Sequence, residues 1–128
     1  MAILAQAIEA KMQDSCKALV LSGGGNNGSW EIGVLYGMIM NGDPTDFEFD
    51  VITGISAGAI NTGGLVGWPK GKEVEMVEFM SEKWHSLKTD DVWQDWPLGK
   101  VSGALLMEGA VDDAPLLAFL QSIISEFP

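Results

Sequence analysis

Two short apolar runs, each ending in a glycine-rich turn that leads into a helical stretch, constrain this chain more than any other feature. The first is Lys17 to Ser22, KALVLS, followed by GGGNNG and then by Ser29 to Met40, SWEIGVLYGMIM. The second is Asp50 to Ile55, DVITGI, rich in β-branched residues and followed by SAGAINTGGLVG. A brief apolar run that stops at glycine reads as a strand of a buried parallel sheet. Strand, helix, strand, helix is the pattern of a parallel α/β fold with flanking helices. In such a unit both strand C-termini lie at one sheet edge, so the two glycine turns are expected side by side.

The first helix should present Ile32, Leu35, Tyr36 and Ile39 on one face. Gly33 and Gly37, four residues apart, should leave a smooth stripe for the close approach of another backbone. Turn chemistry at Asn41, Gly42, Asp43 and Pro44 ends that helix. Lys72 to Leu87 is amphipathic, with Val74, Val77, Met80, Trp84 and Leu87 on one side, and Asp90 to Gly109 is irregular. Asp113, followed by Pro115, suits the cap and first turn of a last helix, LLAFLQSIISEF. Two marked strands are few for an independent parallel sheet. Residues 17–128 are therefore expected to form a partial domain, its sequence cut short. Residues 1–16 form an N-terminal helix or tail, because Leu4, Ile8 and Met12 recur at helical spacing.

Seven basic residues against eighteen acidic ones give a net charge of -11. That balance opposes nucleic-acid binding, which relies on Lys and Arg neutralising phosphates. It gives no attraction to an anionic bilayer either, so any contact with a membrane surface would be hydrophobic, local and transient. No run approaches the roughly 20 apolar residues of a membrane span. MAILAQAIEA lacks the basic start and the long apolar stretch of a signal peptide. The lone Cys16 permits no disulfide within the chain and leaves the compartment open, with a soluble cytoplasmic setting favoured. No His/Cys/Asp ligand cluster is apparent, so neither a metal nor an organic cofactor is implied.

The glycine turn Gly23-x-Gly25-x-x-Gly28 formally matches a dinucleotide-binding fingerprint. That site also wants an acidic residue at the end of the second strand, whereas Asp50 opens that strand and Gly54 to Gly58 occupy its end. A phosphate loop is excluded, since no Gly-Lys-Ser/Thr follows. What stands at the second strand end is GISAG, a G-x-S-x-G. Such a turn exposes a serine hydroxyl, with Gly54 and Gly58 relieving the crowding around Ser56. A serine that merely caps the helix is the structural alternative. If Ser56 attacks an acyl carbonyl, the transient oxyanion needs preorganised donors. Backbone N–H groups of Gly24, Gly25 and Asn26 are placed to supply them, with Gly23 and Gly28 shaping the turn.

SGGGNNGSWEIGVL and GISAG together resemble the oxyanion and nucleophile motifs of the patatin-like phospholipases. VDDAPLLAFL is similar to a segment of that family that opens a helix with Asp-x-x-Pro-Leu, so the resemblance spans roughly residues 17 to 125. It implies a lipid acyl hydrolase that cleaves ester bonds with a Ser–Asp dyad, Ser56 being the nucleophile. The family's aspartate lies in an Asp-Gly-Gly or Asp-Gly-Ala motif, and this sequence contains neither. Asp112 and Asp113 come nearest, in a position that suits capping. Asp46, Asp50, Asp90, Asp91 and Asp95 have turn or solvated-face explanations. Asn27 stands where the family usually carries Arg or Lys, and Ser22 where some members carry Asp. The competing expectation is a catalytically inactive fragment that binds acyl lipid or a protein partner. The sole histidine, His85, sits near a helix C-terminus, where the dipole favours it without catalysis. Trp68, Trp84, Trp93 and Trp96 suit either a core or a lipid-facing patch.

Overall fold

A computed structural model describes residues 16–97, 99–100, 103, 109 and 111–128. The N-terminal helix or tail expected over residues 1–16 lies, apart from Cys16, outside the described residues, as does much of the stretch between 98 and 110. Two strands, β1 (Ala18–Leu21) and β2 (Val51–Gly54), pair in parallel, with Ala18 opposite Val51 and Leu21 opposite Gly54. Between them runs α1 (Gly28–Asn41), and after β2 come α2 (Ala57–Val66), α3 (Glu73–Ser86) and α4 (Ala114–Ser125). This is the expected α/β order of a parallel sheet with flanking helices.

The core forms where α1, α2 and α3 meet the inward face of the sheet. Leu21 from β1, Ile32, Leu35 and Ile39 from α1, Leu65 from α2, and Met76, Val77 and Met80 from α3 make one buried cluster. The spacing of the α1 residues is the i, i+3, i+7 repeat that puts them on one face. Tyr36 and Trp84, expected on the same faces, pack half-buried at the margin. Met76 joins the α3 face alongside the expected Val77 and Met80.

Two expectations need correction. The strands are not buried on both faces: Val20 is 75% exposed and Val51 49% exposed, because the described helices cover only the face carrying Leu19, Leu21 and Ile52. No backbone of the described residues approaches Gly33 or Gly37. Gly33 is exposed and Gly37 half-buried, and among the described residues a methyl group at either would meet nothing within 4 Å. The 3.6-residue repeat places them opposite the face that α3 covers.

Asp50 fixes the starts of both strands. Its carboxylate accepts a hydrogen bond from the Lys17 backbone N–H at 2.8 Å and one from Lys70 Nζ at 2.5 Å, while its own N–H donates to Lys17 O. The Lys70 ammonium, and then the Lys17 amide, hold its carboxyl below the ordinary value of 3.8. A carboxyl lowered in the folded state contributes stability that is complete above its ordinary value and is lost as pH falls through the folded one. Asp50→Asn is therefore expected to lower the urea midpoint near pH 7, with the gap to the unaltered chain closing below about pH 4. A gap that is constant across that range would contradict the assignment.

Candidate active site

Ser56 occupies the turn between β2 and α2 with φ 53° and ψ −122°. It is the one non-glycine residue with positive φ among the described residues. Side chains rarely enter this region, and holding one there costs on the order of 1–3 kcal/mol. The turn closes through Gly58 N–H to Ile55 O at 2.9 Å and Ala59 N–H to Ser56 O at 2.9 Å. Ser56 precedes α2 directly, yet its side chain makes no capping hydrogen bond. The residue is exposed, and among the described residues no partner engages its hydroxyl.

The flanking glycines are required by contact. A Cβ at Gly54 would run into the Gly58 carbonyl, and one at Gly58 would stand 2.6 Å from the carbonyl oxygens of both Leu21 and Ser22. The second of these contacts seats the start of α2 on the end of β1. The first glycine turn then lies where the parallel register predicts: a Cβ at Gly23 would be 3.2 Å from Ser56 Cβ.

That turn, Gly23 to Gly28, includes one 3-10 turn over Gly25–Asn27. Gly25 has φ +58°, a conformation that glycine adopts without steric cost. Asn27 N–H donates to Gly24 O at 3.1 Å, and the Gly28 N–H is engaged with the carbonyls of Gly25 and Asn26. Among the described residues, the N–H groups of Gly24, Gly25 and Asn26 meet no acceptor. Gly28 contributes close approach instead of a donor, since a Cβ there would lie 2.7 Å from Trp84 Cζ2 and 3.0 Å from Ala57 Cβ.

Gly25, Asn26 and Ser56 open onto one cavity of about 490 Å³. Much of its lining is apolar, from Trp84 and Leu87, from Val92 and Trp93, and from Leu116, Phe119 and Ile123 of α4. Lys83 and Lys88 supply the charged side chains of the lining, notable in so acidic a chain. Lys83 is already paired with Glu126 at 2.6 Å. No carboxylate or imidazole lines the cavity among the described residues, and His85 faces solvent. Among them no group of three or more His, Cys, Asp or Glu is placed to hold a metal.

Asp112, the nearest approach to the missing dyad motif, is committed elsewhere. Its carboxylate accepts from Gln94 Nε2 at 2.8 Å and from the Ala114 N–H at 3.0 Å, and these bonds, Gln94's first, hold its carboxyl below the ordinary value. A general base at neutral pH needs the opposite shift. Asp113 does occupy the N-cap position of α4, but it makes no side-chain bond there, so Asp112 provides the cap. Asp50 lies at the opposite end of β2 from the glycine turns, which removes the acidic partner a dinucleotide site would need.

Three contributors were absent from the expected site. Ala57, directly after Ser56, lines the cavity at the N-terminus of α2, and its N–H has no acceptor among the described residues. Glu31 and Asn61 form a polar network behind the turns. Glu31 Oε1 accepts from the Ser22 N–H at 2.7 Å and the Ser22 hydroxyl at 2.8 Å, and its Oε2 accepts from Asn61 Nδ2 at 3.1 Å. Asn61, fully buried, also donates to Gly28 O at 3.0 Å and accepts from Trp84 Nε1 at 2.7 Å. The available signal was a lone Asn within a helix of small and apolar residues.

Comparison with known proteins gives one decisive match: the family model described as patatin-like phospholipase covers residues 19–128. The chain belongs to the patatin-like phospholipase family. No curated protein and no solved structure matches it. The matched span takes in both glycine turns, the cavity and α4, so the geometry above is that of a patatin-like domain, within a family of lipid acyl hydrolases. Lipids are the substrates such membership implies. Among the described residues no helix is long and apolar enough to cross a membrane.

The backbone strain at Ser56 gives a direct test of its conformation. Ser56→Gly is expected to raise unfolding stability by about 1 kcal/mol, the relieved strain exceeding the added chain entropy. Ser56→Ala should leave stability within about 0.5 kcal/mol, because the hydroxyl caps nothing. Thermal melts of the two variants check both values, and a destabilised Ser56→Gly would contradict the turn geometry.

Proposed function

We propose that this domain hydrolyses acyl esters of lipids with Ser56 as nucleophile and the first glycine turn as oxyanion hole. The observation that carries the reading is the strained, exposed Ser56 beside backbone N–H groups that have no acceptor among the described residues. Ser56 Oγ forms a bond to the ester carbonyl carbon, and the carbonyl oxygen takes the negative charge. N–H groups of Gly24, Gly25 and Asn26, joined by that of Ala57, stabilise it. Losing one such donor typically raises a barrier by roughly 3–4 kcal/mol. As the tetrahedral intermediate collapses, the bond to the alcohol breaks and the serine proton passes to the departing alkoxide. Water then cleaves the acyl-enzyme, returning the serine hydroxyl and releasing a fatty acid.

Transfer of that proton calls for a base, which in the family resembled is an aspartate of an Asp-Gly-Gly or Asp-Gly-Ala motif, and this sequence contains neither. The apolar wall formed by Trp84, Trp93, Leu116 and Phe119 suits an acyl chain lying across the serine. A second reading is favoured by the absence of any carboxylate or imidazole from the described lining: a cleft that binds acyl chains without turning them over.

A fluorophosphonate separates the two. In this reaction Ser56 Oγ bonds to phosphorus, fluoride leaves and the hydroxyl proton is lost to solvent. Labelling located to Ser56 by mass spectrometry, and abolished in Ser56→Ala, is the expected result. No labelling, with fatty acid still quenching the fluorescence of Trp84 and Trp93, would replace the hydrolase by a binding cleft. Neither labelling nor quenching would contradict both.

A further inference from the structure

We propose that Glu31 and Asn61 are positioning residues that brace the first glycine turn against the nucleophile turn, an inference that rests on the oxyanion-hole reading above. The first turn needs such a brace. Among the described residues its donors have no acceptor, Gly25 sits at φ +58°, and a Cβ at Gly25 would meet nothing within 4 Å. Left to itself, a loop of this kind would move over a range that spoils the alignment of its N–H groups.

Glu31 lies in the first turn of α1, where a carboxylate is favoured by the helix dipole. From there Oε1 reaches back across the loop to both polar groups of Ser22, which closes the loop at its entry. Oε2 meets Asn61 Nδ2, and Asn61 is rooted in α2 five residues after Ser56. The same Nδ2 holds Gly28 O at the loop's exit, while Trp84 Nε1 from α3 fixes the other end of the amide. Entry, exit and nucleophile helix are therefore tied through two side chains. Every polar atom of the Asn61 amide is satisfied, and burial makes any loss of those bonds costly.

The chemistry of the carboxylate makes Glu31→Gln an informative substitution. All three of the bonds to Glu31 arrive from donors. A glutamine of the same shape must point its amide N–H₂ at one of them, either Ser22 N–H or Asn61 Nδ2, and one side of the brace opens. Backbone order parameters measured by nitrogen relaxation for Gly24, Gly25 and Asn26 should fall from the rigid level of about 0.85 to below about 0.6. Those of Ile32, Leu35 and Ile39 should be unchanged. The maximal rate of Ser56 phosphonylation should drop about tenfold with the half-saturating concentration of fluorophosphonate unaltered, as misalignment without lost binding requires.

Order parameters in the loop equal to those of the unaltered chain, or a loss spread evenly through α1 and α3, would overturn the brace. Should Glu31→Gln fail to fold, Ser22→Ala decides. It removes one of the three bonds at an exposed position, and loosening of the same three amides supports the proposal while unchanged amides overturn it. A chain whose Ser56 never reacts would sink the hydrolase reading, yet the relaxation comparison would still decide whether Glu31 holds the loop.

Discussion

Because β1 and β2 run parallel and end at the same rung, Leu21 opposite Gly54, the chain must leave both strands at one point of the sheet edge. Everything at the candidate site follows from that shared exit. The two following turns compete for the same space, and only residues without a Cβ let them share it. Gly58 rests on the carbonyls of Leu21 and Ser22, and Gly54 rests on the carbonyl of Gly58. Those contacts fix the start of α2 relative to β1. They also set the conformation of Ser56, held at positive φ between two helical hydrogen bonds and a strand that pairs up to Gly54.

The strain on Ser56 has to be offset elsewhere, and the packing shows where. Behind the turns, α1, α2 and α3 bury Ile32, Leu65 and Met80 in one cluster, and each such side chain contributes about 1.5–3 kcal/mol on burial. The buried amide of Asn61 joins the same three helices through directional bonds. In front of the turns the opposite choice is made. Among the described residues the serine hydroxyl and the loop N–H groups have no partner, and Gly25, Asn26 and Ser56 line a cavity that is largely apolar. Exposed donors beside an exposed nucleophile cost little while water reaches them, and they become useful when a substrate carbonyl displaces that water.

Much of this arrangement is legible in the residues themselves. The parallel order of elements, the face of α1 carrying Ile32, Leu35 and Ile39, and the adjacency of the two glycine turns all follow from local patterns that tertiary packing did not override. Other features depend on distant partners. Nothing around Gly33 and Gly37 in sequence distinguishes a closely packed stripe from a solvent-facing one, and only the position of α3 decides it. Val20 and Val51 look like core residues because β-branching reports strand propensity, not which face is covered. Glu31 reads as an ordinary first-turn acid until Ser22 and Asn61, nine and thirty residues away, are brought to it. Asp112 and Asp113 differ in role only through the path of the chain into α4.

The central claim is geometric: the N–H groups of the first turn aim at the oxygen of whatever is attached to Ser56. A crystal structure of the phosphonylated chain tests this most directly, since the phosphonyl oxygen stands where the oxyanion would form. The account predicts that oxygen within about 2.7–3.1 Å of two or more of the N–H groups of Gly24, Gly25, Asn26 and Ala57. A phosphonyl oxygen turned to solvent, with those amides pointing past it, would contradict the account.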